Sequence, residues 1–219
     1  MKQTDALDLA AMMCSRLCHD LLSPVGALSN GLELLVDEKD PEMRQRCFEL
    51  LEQSAKISTD KLRFFRLAFG AAGGYGDMVE TEEPRQLTQA LLGDSGRVKL
   101  NWQVGPARLS KPVVKVLLNF AQLGIEALAR GGELDIGLEE RGGTTEIVVR
   151  ATGTKIAFDE TIGRALEGRL AADELTSRTA AAHMLHLLAE EGDGRLQFHR
   201  DEGTLILGAE LPLTSELIG

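Results

Sequence analysis

Aromatic and sulfur-bearing residues are scarce in this chain, which has one Trp, one Tyr, seven Phe and three Cys among 219 residues. Three cysteines (Cys14, Cys18 and Cys47) cannot all pair, so a disulfide-stapled secreted scaffold is excluded. No apolar run reaches the roughly 20 residues that a bilayer-spanning helix needs. The opening Met1-Lys2-Gln3-Thr4-Asp5 lacks the apolar core of a signal peptide, and we expect a cytoplasmic protein. Basic residues are in deficit: 24 Lys and Arg against 34 Asp and Glu give a net charge of −10. That balance argues against nucleic acid or an anionic membrane surface as partner.

What remains is a globular composition, 43% hydrophobic and 26% charged, with room for one mid-sized domain or two small ones. The charge divides unevenly, with a net of −2 over residues 1–75 and −8 over residues 76–219. The change falls at Gly70-Ala71-Ala72-Gly73-Gly74-Tyr75-Gly76, which cannot sustain a helix. Two domains are therefore expected, 1–75 and 76–219.

The first reads as a helical hairpin. From Thr4, a plausible N-cap, to about Asp37, the residues Met13, Leu17, Leu21, Pro24, Leu28, Leu32 and Leu35 recur at three- and four-residue spacing. Asp40-Pro41 then forms an N-cap followed by Pro at N1. A heptad seam follows in Phe48, Leu51, Ala55, Ser58, Leu62, Phe65 and Phe69. Only Glu38 and Lys39 lie between the two helices, so they run antiparallel. A flanking row of Cys14, Cys18, Leu22, Val25 and Val36 leaves more apolar surface than one hairpin covers. A homodimer whose two hairpins form a four-helix bundle is the economical solution, with Cys14 and Cys18 as small core residues.

One face of the first helix breaks the apolar rule: His19, Ser23, Gly26, Asn30, Glu33 and Asp37 are polar or small throughout. Pro24 and Gly26 cost about 3 and 1 kcal/mol relative to Ala inside a helix. Pro24 also removes the hydrogen bond to the carbonyl of Asp20 and should kink the helix. A sequence that accepts both costs one turn after His19 points to backbone shape and access there. The run His19-Asp20-Leu21-Leu22-Ser23-Pro24-Val25 resembles the H-box of the dimerisation and phosphotransfer domain of histidine kinases. The resemblance implies that His19 carries a phosphoryl group and that Asp20 polarises its imidazole.

After the Gly-rich stretch, helix signals at 84–92, 112–130, 159–168 and 171–191 alternate with strand signals at 98–104, 134–138, 145–150, 196–200 and 204–211. Gly142-Gly143 and Asp201-Glu202-Gly203 mark hairpin turns. The expected fold class is α+β: the hairpin, then an α/β sandwich with a mixed sheet covered by helices on one face. Order and spacing resemble the ATP-binding domain of histidine kinases, the Bergerat fold, with 116–127 where that family has its N-box. The departures fall at the nucleotide site. Leu123 stands where a Mg²⁺-holding Asn is needed, Arg150 near the place of an adenine-reading Asp, and Thr176-Ser177-Arg178-Thr179-Ala180-Ala181 has no glycine to cradle phosphate. We expect no ATP binding.

An H-box without an ATP site resembles the stand-alone ChpT-type histidine phosphotransferases of the bacterial cell-cycle phosphorelay. That resemblance implies a receiver domain of a CckA-like hybrid histidine kinase as donor and CtrA-like and CpdR-like response regulators as acceptors. It implies no cofactor of the chain's own, the Mg²⁺ belonging to the receiver. Docking residues are expected at Arg16, Leu22, Gly26, Ala27, Asn30, Lys56 and Arg63, with Ser23 as a candidate for assisting dephosphorylation. An ATP-using histidine kinase and a non-catalytic receiver-binding scaffold remain as alternatives. His183 and His186, three apart on a helix, read as packing residues rather than metal ligands. His199, Trp102 and Tyr75 carry no motif.

Overall fold

A computed structural model of the chain describes residues 6–70, 78–93 and 95–213. Two long helices, α1 (Ala6–Asp37) and α2 (Pro41–Phe69), form the hairpin. Local chemistry sets their junction. Asp40 Oδ1 accepts from the Glu42 backbone N at 3.1 Å, and Pro41 has no N–H to leave unsatisfied. Arg44 Nη1 donates to the carbonyls of Leu35 (3.1 Å) and Glu38 (2.9 Å), closing free acceptors at the end of α1. The expected N-cap Thr4 and most of the Gly-rich stretch, including Tyr75, lie outside the described residues.

The interior row of α1 runs through Leu17, Leu21, Pro24, Leu28, Gly31 and Leu35, close to expectation, but Leu32 is exposed. Gly31 makes the contact instead: a Cβ there would stand 2.9 Å from Leu51 Cδ2. On α2 one row of the expected heptad is in place, with Leu51 half-buried and Ser58 and Phe65 buried, and the other is shifted by one position. Cys47, Ser54, Ser58, Phe65 and Ala68 are buried, whereas Phe48, Ala55 and Leu62 face outward. Two helices can bury only a narrow stripe of each other, so one of two neighbouring rows stays outside. Cys14 and Cys18, expected in a core, are exposed in the single chain.

Beyond the hairpin, β1 (Met78–Glu80) pairs antiparallel with β3 (Arg108–Ser110). Three-residue strands are too short for periodicity to reveal, and neither was anticipated. The main sheet contains β2 (Val98–Val104), β4 (Gly132–Arg141), β5 (Thr144–Thr152), β6 (Arg195–Arg200) and β7 (Thr204–Pro212) in the order β2-β4-β5-β7-β6. Only β2 and β4 are parallel. Along β5, Thr145, Ile147, Val149 and Ala151 are buried while Glu146, Val148 and Arg150 face out, so one face is covered and the other open. The helices α3 (Glu82–Leu92), α4 (Lys111–Ala127), α5 (Glu160–Leu166) and α6 (Ala180–Glu191) complete this α+β fold. Gly124 lets α4 approach the sheet, since a Cβ there would stand 2.6 Å from Leu134 Cδ1. The helix expected from residue 171 starts only at Ala180. Ahead of it are a 3₁₀ turn at Ala172–Glu174 and a local bond from Thr176 N to Thr179 Oγ1 at 3.0 Å. Threonine hydroxyls compete in this way with helix bonds.

No helix among the described residues is long and apolar enough to cross a membrane. The hydrophobic cluster is continuous from the base of the hairpin into the sandwich: Phe64, Phe65 and Ala68 of α2 share it with Leu117 and Phe120 of α4. Phe64 is fully buried. Phe64→Ala should therefore cost about 3–5 kcal/mol. Urea titration followed by far-UV circular dichroism should show helix and sheet signals lost together at the lowered midpoint.

Candidate phosphotransfer site

The site begins with a backbone defect. Pro24 has no N–H, so the carbonyl of Asp20 lacks its donor within α1. Lys61 of α2 supplies one, Nζ donating to Asp20 O at 2.8 Å, and α1 runs on through Pro24 as a single helix. This bond sets residue 61 level with residue 20, as the antiparallel reading required.

The preceding turn holds the histidine. His19 is 83% exposed, and its Nδ1 lies 3.3 Å from Asp20 Oδ1. A carboxylate only accepts, so Nδ1 carries the hydrogen and the Nε2 lone pair is the free nucleophile. Asp20 is 17% exposed, and its Oδ2 accepts from Arg16 Nε at 2.8 Å. Arg16 Nη2 donates in turn to Glu126 Oε1 of α4 at 2.5 Å, and Gln122 Nε2 reaches the same oxygen at 3.0 Å. Burial works against the Arg16 cation, but Glu126 and Asp20 outweigh it and hold its pKa above the ordinary guanidinium value. Arg16 was expected on the docking face. It is instead turned inward, because two carboxylates compete for its guanidinium.

His19 stands at a polar cleft of about 430 Å³ between α1 and the second half of the chain, lined also by Arg16, Asp20, Glu126, Asp159 and Arg178. Asp159 caps α5. Its Oδ1 accepts from Thr161 N (2.9 Å) and Thr161 Oγ1 (2.8 Å), bonds that hold its carboxyl below the usual range. Glu126, Asp159 and Arg178 escaped the sequence reading, because nothing local ties them to His19. Beside the histidine, Leu22, Ser23, Ala27 and Asn30 are exposed, and a Cβ on Gly26 would meet nothing within 4 Å. Lys56 and Arg63 lie elsewhere. They line grooves between α2 and α3, with Asp60 and Gln86, that share no lining residue with the His19 cleft.

The positions compared with a nucleotide site are otherwise engaged. Asn119 is buried, its Nδ2 donating to the carbonyls of Lys115 (2.8 Å) and Ala68 (3.3 Å). Leu123 packs on the core. Arg150 departs from its expected place: it points to the open face of the sheet, where Nε and Nη2 reach Asp135 Oδ2 at 3.0 and 2.9 Å. Alternation makes Ala151 the inward residue at the end of β5. His183 and His186 pack with ring centroids 6.3 Å apart. Burial, and then His186, lowers the His183 pKa. Among the described residues no group of His, Cys, Asp and Glu is arranged to hold a metal ion.

Removing the Lys61 donor should cost about 1 kcal/mol, since the Asp20 carbonyl is only part-buried and water can partly replace the lost bond. Lys61→Met should therefore lower stability in urea titration, and by less in a Pro24→Ala background, where residue 24 again offers an N–H to Asp20 O.

Residues 81–204 match the family described as "Histidine phosphotransferase C-terminal domain". The chain is 31% identical over 205 residues to the protein phosphotransferase ChpT of Brucella abortus (strain 2308), covering 94% of this chain and 96% of that one. A solved bacterial phosphotransferase is similar at 30% identity and a TM-score of 0.81, covering 95% of this chain and 98% of that one. The histidine kinase ThkA, solved in complex with the response regulator TrrA, shares the fold at 15% identity and a TM-score of 0.50, over 96% of this chain and 64% of that one. The chain belongs to the histidine phosphotransferase family and is a phosphotransferase of two-component signalling.

Proposed function

We propose that the chain is a phosphorelay intermediate that carries a phosphoryl group on His19 between the aspartates of two receiver domains, without using ATP. The observation that carries this reading is the exposed His19 ring with Nδ1 held by Asp20. Nε2 attacks the phosphorus of a receiver's aspartyl phosphate. The N–P bond forms as the P–O bond to the receiver carboxylate breaks, and the carboxylate leaves. The phosphoimidazolium keeps its proton on Nδ1, opposite the Asp20 carboxylate, and the reverse step loads a second receiver. Transfer through such a loose, in-line transition state depends on positioning and electrostatics, for which the receiver brings Mg²⁺ and its own lysine.

A CckA-like hybrid kinase is the donor and CtrA-like and CpdR-like regulators are the acceptors in this reading, which places the protein in the cytoplasm and in cell-cycle control. The receiver packs on the small-residue face around Ser23, Gly26, Ala27 and Asn30, and the second half of the chain offers it a further surface across the His19 cleft. Ser23, one turn from His19, assists dephosphorylation. Lys56 and Arg63, in their separate grooves, contact a receiver only if it reaches around α2.

Four outward apolar side chains, Leu22, Leu32, Phe48 and Leu62, are each more than half exposed. A second copy of the hairpin covers them in a four-helix bundle. Light scattering at micromolar concentration should give a dimeric mass, and Leu62→Glu a monomeric one. The lack of nucleotide binding is supported by the engaged Asn119 amide, the apolar Leu123 and Ala151, and the glycine-free 176–181 segment. Losing about three interactions of 1.5–3 kcal/mol each moves a micromolar site beyond millimolar. Calorimetry at millimolar Mg-ATP should show no binding.

The decisive experiment is incubation with a phosphorylated receiver domain. Wild-type protein should take up label and His19→Ala none; label on the His19→Ala variant would overturn the mechanism.

A further inference from the structure

Phosphotransfer through His19 and Asp20 leaves Arg16 and Glu126 without a task. They lie 110 positions apart in the chain, yet their ion pair joins α1 to α4 directly beside the histidine. One guanidinium stands between two carboxylates, with Nε on Asp20 Oδ2 at 2.8 Å and Nη2 on Glu126 Oε1 at 2.5 Å. Facing a single carboxylate, a guanidinium tends to close on both oxygens through two parallel N–H···O bonds. Here Nη2 is turned away toward Glu126, so Arg16 engages only Oδ2 of Asp20. The other oxygen, Oδ1, is left for His19 Nδ1. Gln122 steadies Glu126 from the preceding turn of α4.

We infer that Glu126 is a positioning residue for His19: by drawing the Arg16 guanidinium toward α4, it keeps Asp20 Oδ1 free to accept from His19 Nδ1–H. The sandwich thereby acts on the nucleophile of the hairpin without touching the phosphoryl group. The role is that of a remote partner fixing the tautomer of a histidine through its carboxylate. This inference rests on His19 as the phosphoryl acceptor.

The charged groups bordering His19 and Asp20 are Arg16 on α1, Lys61 on α2, Glu126 on α4, Asp159 at the start of α5 and Arg178 ahead of α6. Without Glu126, Arg16 is free to close on both oxygens of Asp20. His19 Nδ1–H then competes with a second guanidinium N–H for Oδ1. The neutral ring then redistributes toward the Nε2–H tautomer, which cannot attack through Nε2.

The test uses the full chain and phosphoramidate, a small donor that needs no receiver. Phosphohistidine formation is followed by ³¹P NMR across pH 5–9, and the tautomer of His19 by ¹⁵N imidazole shifts. Glu126→Ala should slow His19 phosphorylation about tenfold, less than the full loss of a proton-positioning group. It should also raise the Nε2–H population. Glu126→Gln, which keeps an oxygen for Nη2, should recover most of the rate. In an Arg16→Met background, Glu126→Ala should change nothing further. The Glu126 side chain is 41% exposed, so the fold should survive the change. Glu126→Leu carries the same test should the Ala variant unfold. A wild-type tautomer in the Glu126 variant would overturn the inference, whatever its melting temperature. Failure of the wild-type protein to phosphorylate on His19 would instead defeat the underlying reading, and the ¹⁵N shifts would still decide whether Glu126 sets the tautomer.

Discussion

Phe64, Phe65 and Ala68 carry the end of α2 into the same core that holds α4, and the buried Asn119 amide ties that end down at the carbonyl of Ala68. Dry packing of aromatic rings against a helix fixes distance and rotation at once, because a close-packed interior has few alternative arrangements. With α2 seated on α4, α1 is brought over the same helix, and Arg16 meets Glu126. The hairpin is thus not an arm hung from the sandwich. Its histidine stands at a cleft whose far wall is built by α4, the start of α5 and the segment before α6.

Around His19 the chain combines an exposed imidazole with a half-buried scaffold of charges. Exposure leaves Nε2 open, and burial holds Asp20 and Arg16 in one geometry. A fully exposed carboxylate would contribute little, since water screens surface pairs and long side chains wander. The 17% exposure of both Asp20 and Arg16 moves their pair into the range where direction is retained. Pro24 works to the same end. The carbonyl it strips of a partner is taken by Lys61, so the break in α1 becomes a fixed point between the two helices rather than a hinge.

The apolar rows tell a similar story about what a single chain satisfies. Gly31 against Leu51 brings the two helices together along a narrow stripe. The larger Leu22, Leu32, Phe48 and Leu62 remain outside it. Heptad spacing identified Phe48, Ala55 and Leu62 as a seam, yet the structure turns them outward while Cys47 and Ser54 go in. Spacing reveals that a row is apolar, but not which of two neighbouring rows meets the helix of the same chain.

Features carried by consecutive residues were legible in the sequence. The H-box run places His19, Asp20 and Pro24 by adjacency alone, Asp40-Pro41 starts α2, and Gly142-Gly143 turns β4 into β5 with both glycines at positive φ. Strand β2 was bounded correctly because alternation and flanking turn residues are local signals. The one-residue ambiguity at the end of β5 was not resolvable in this way. Only the observed alternation shows that Ala151 faces inward and Arg150 pairs with Asp135 on the open face. The inward turn of Arg16, its partner Glu126, the Lys61 donor to Asp20 and the Asp159 and Arg178 walls of the cleft were decided by tertiary structure. Each joins residues with no periodic or motif relation, and an ion pair between distant positions exists only once packing has brought two helices to the same place.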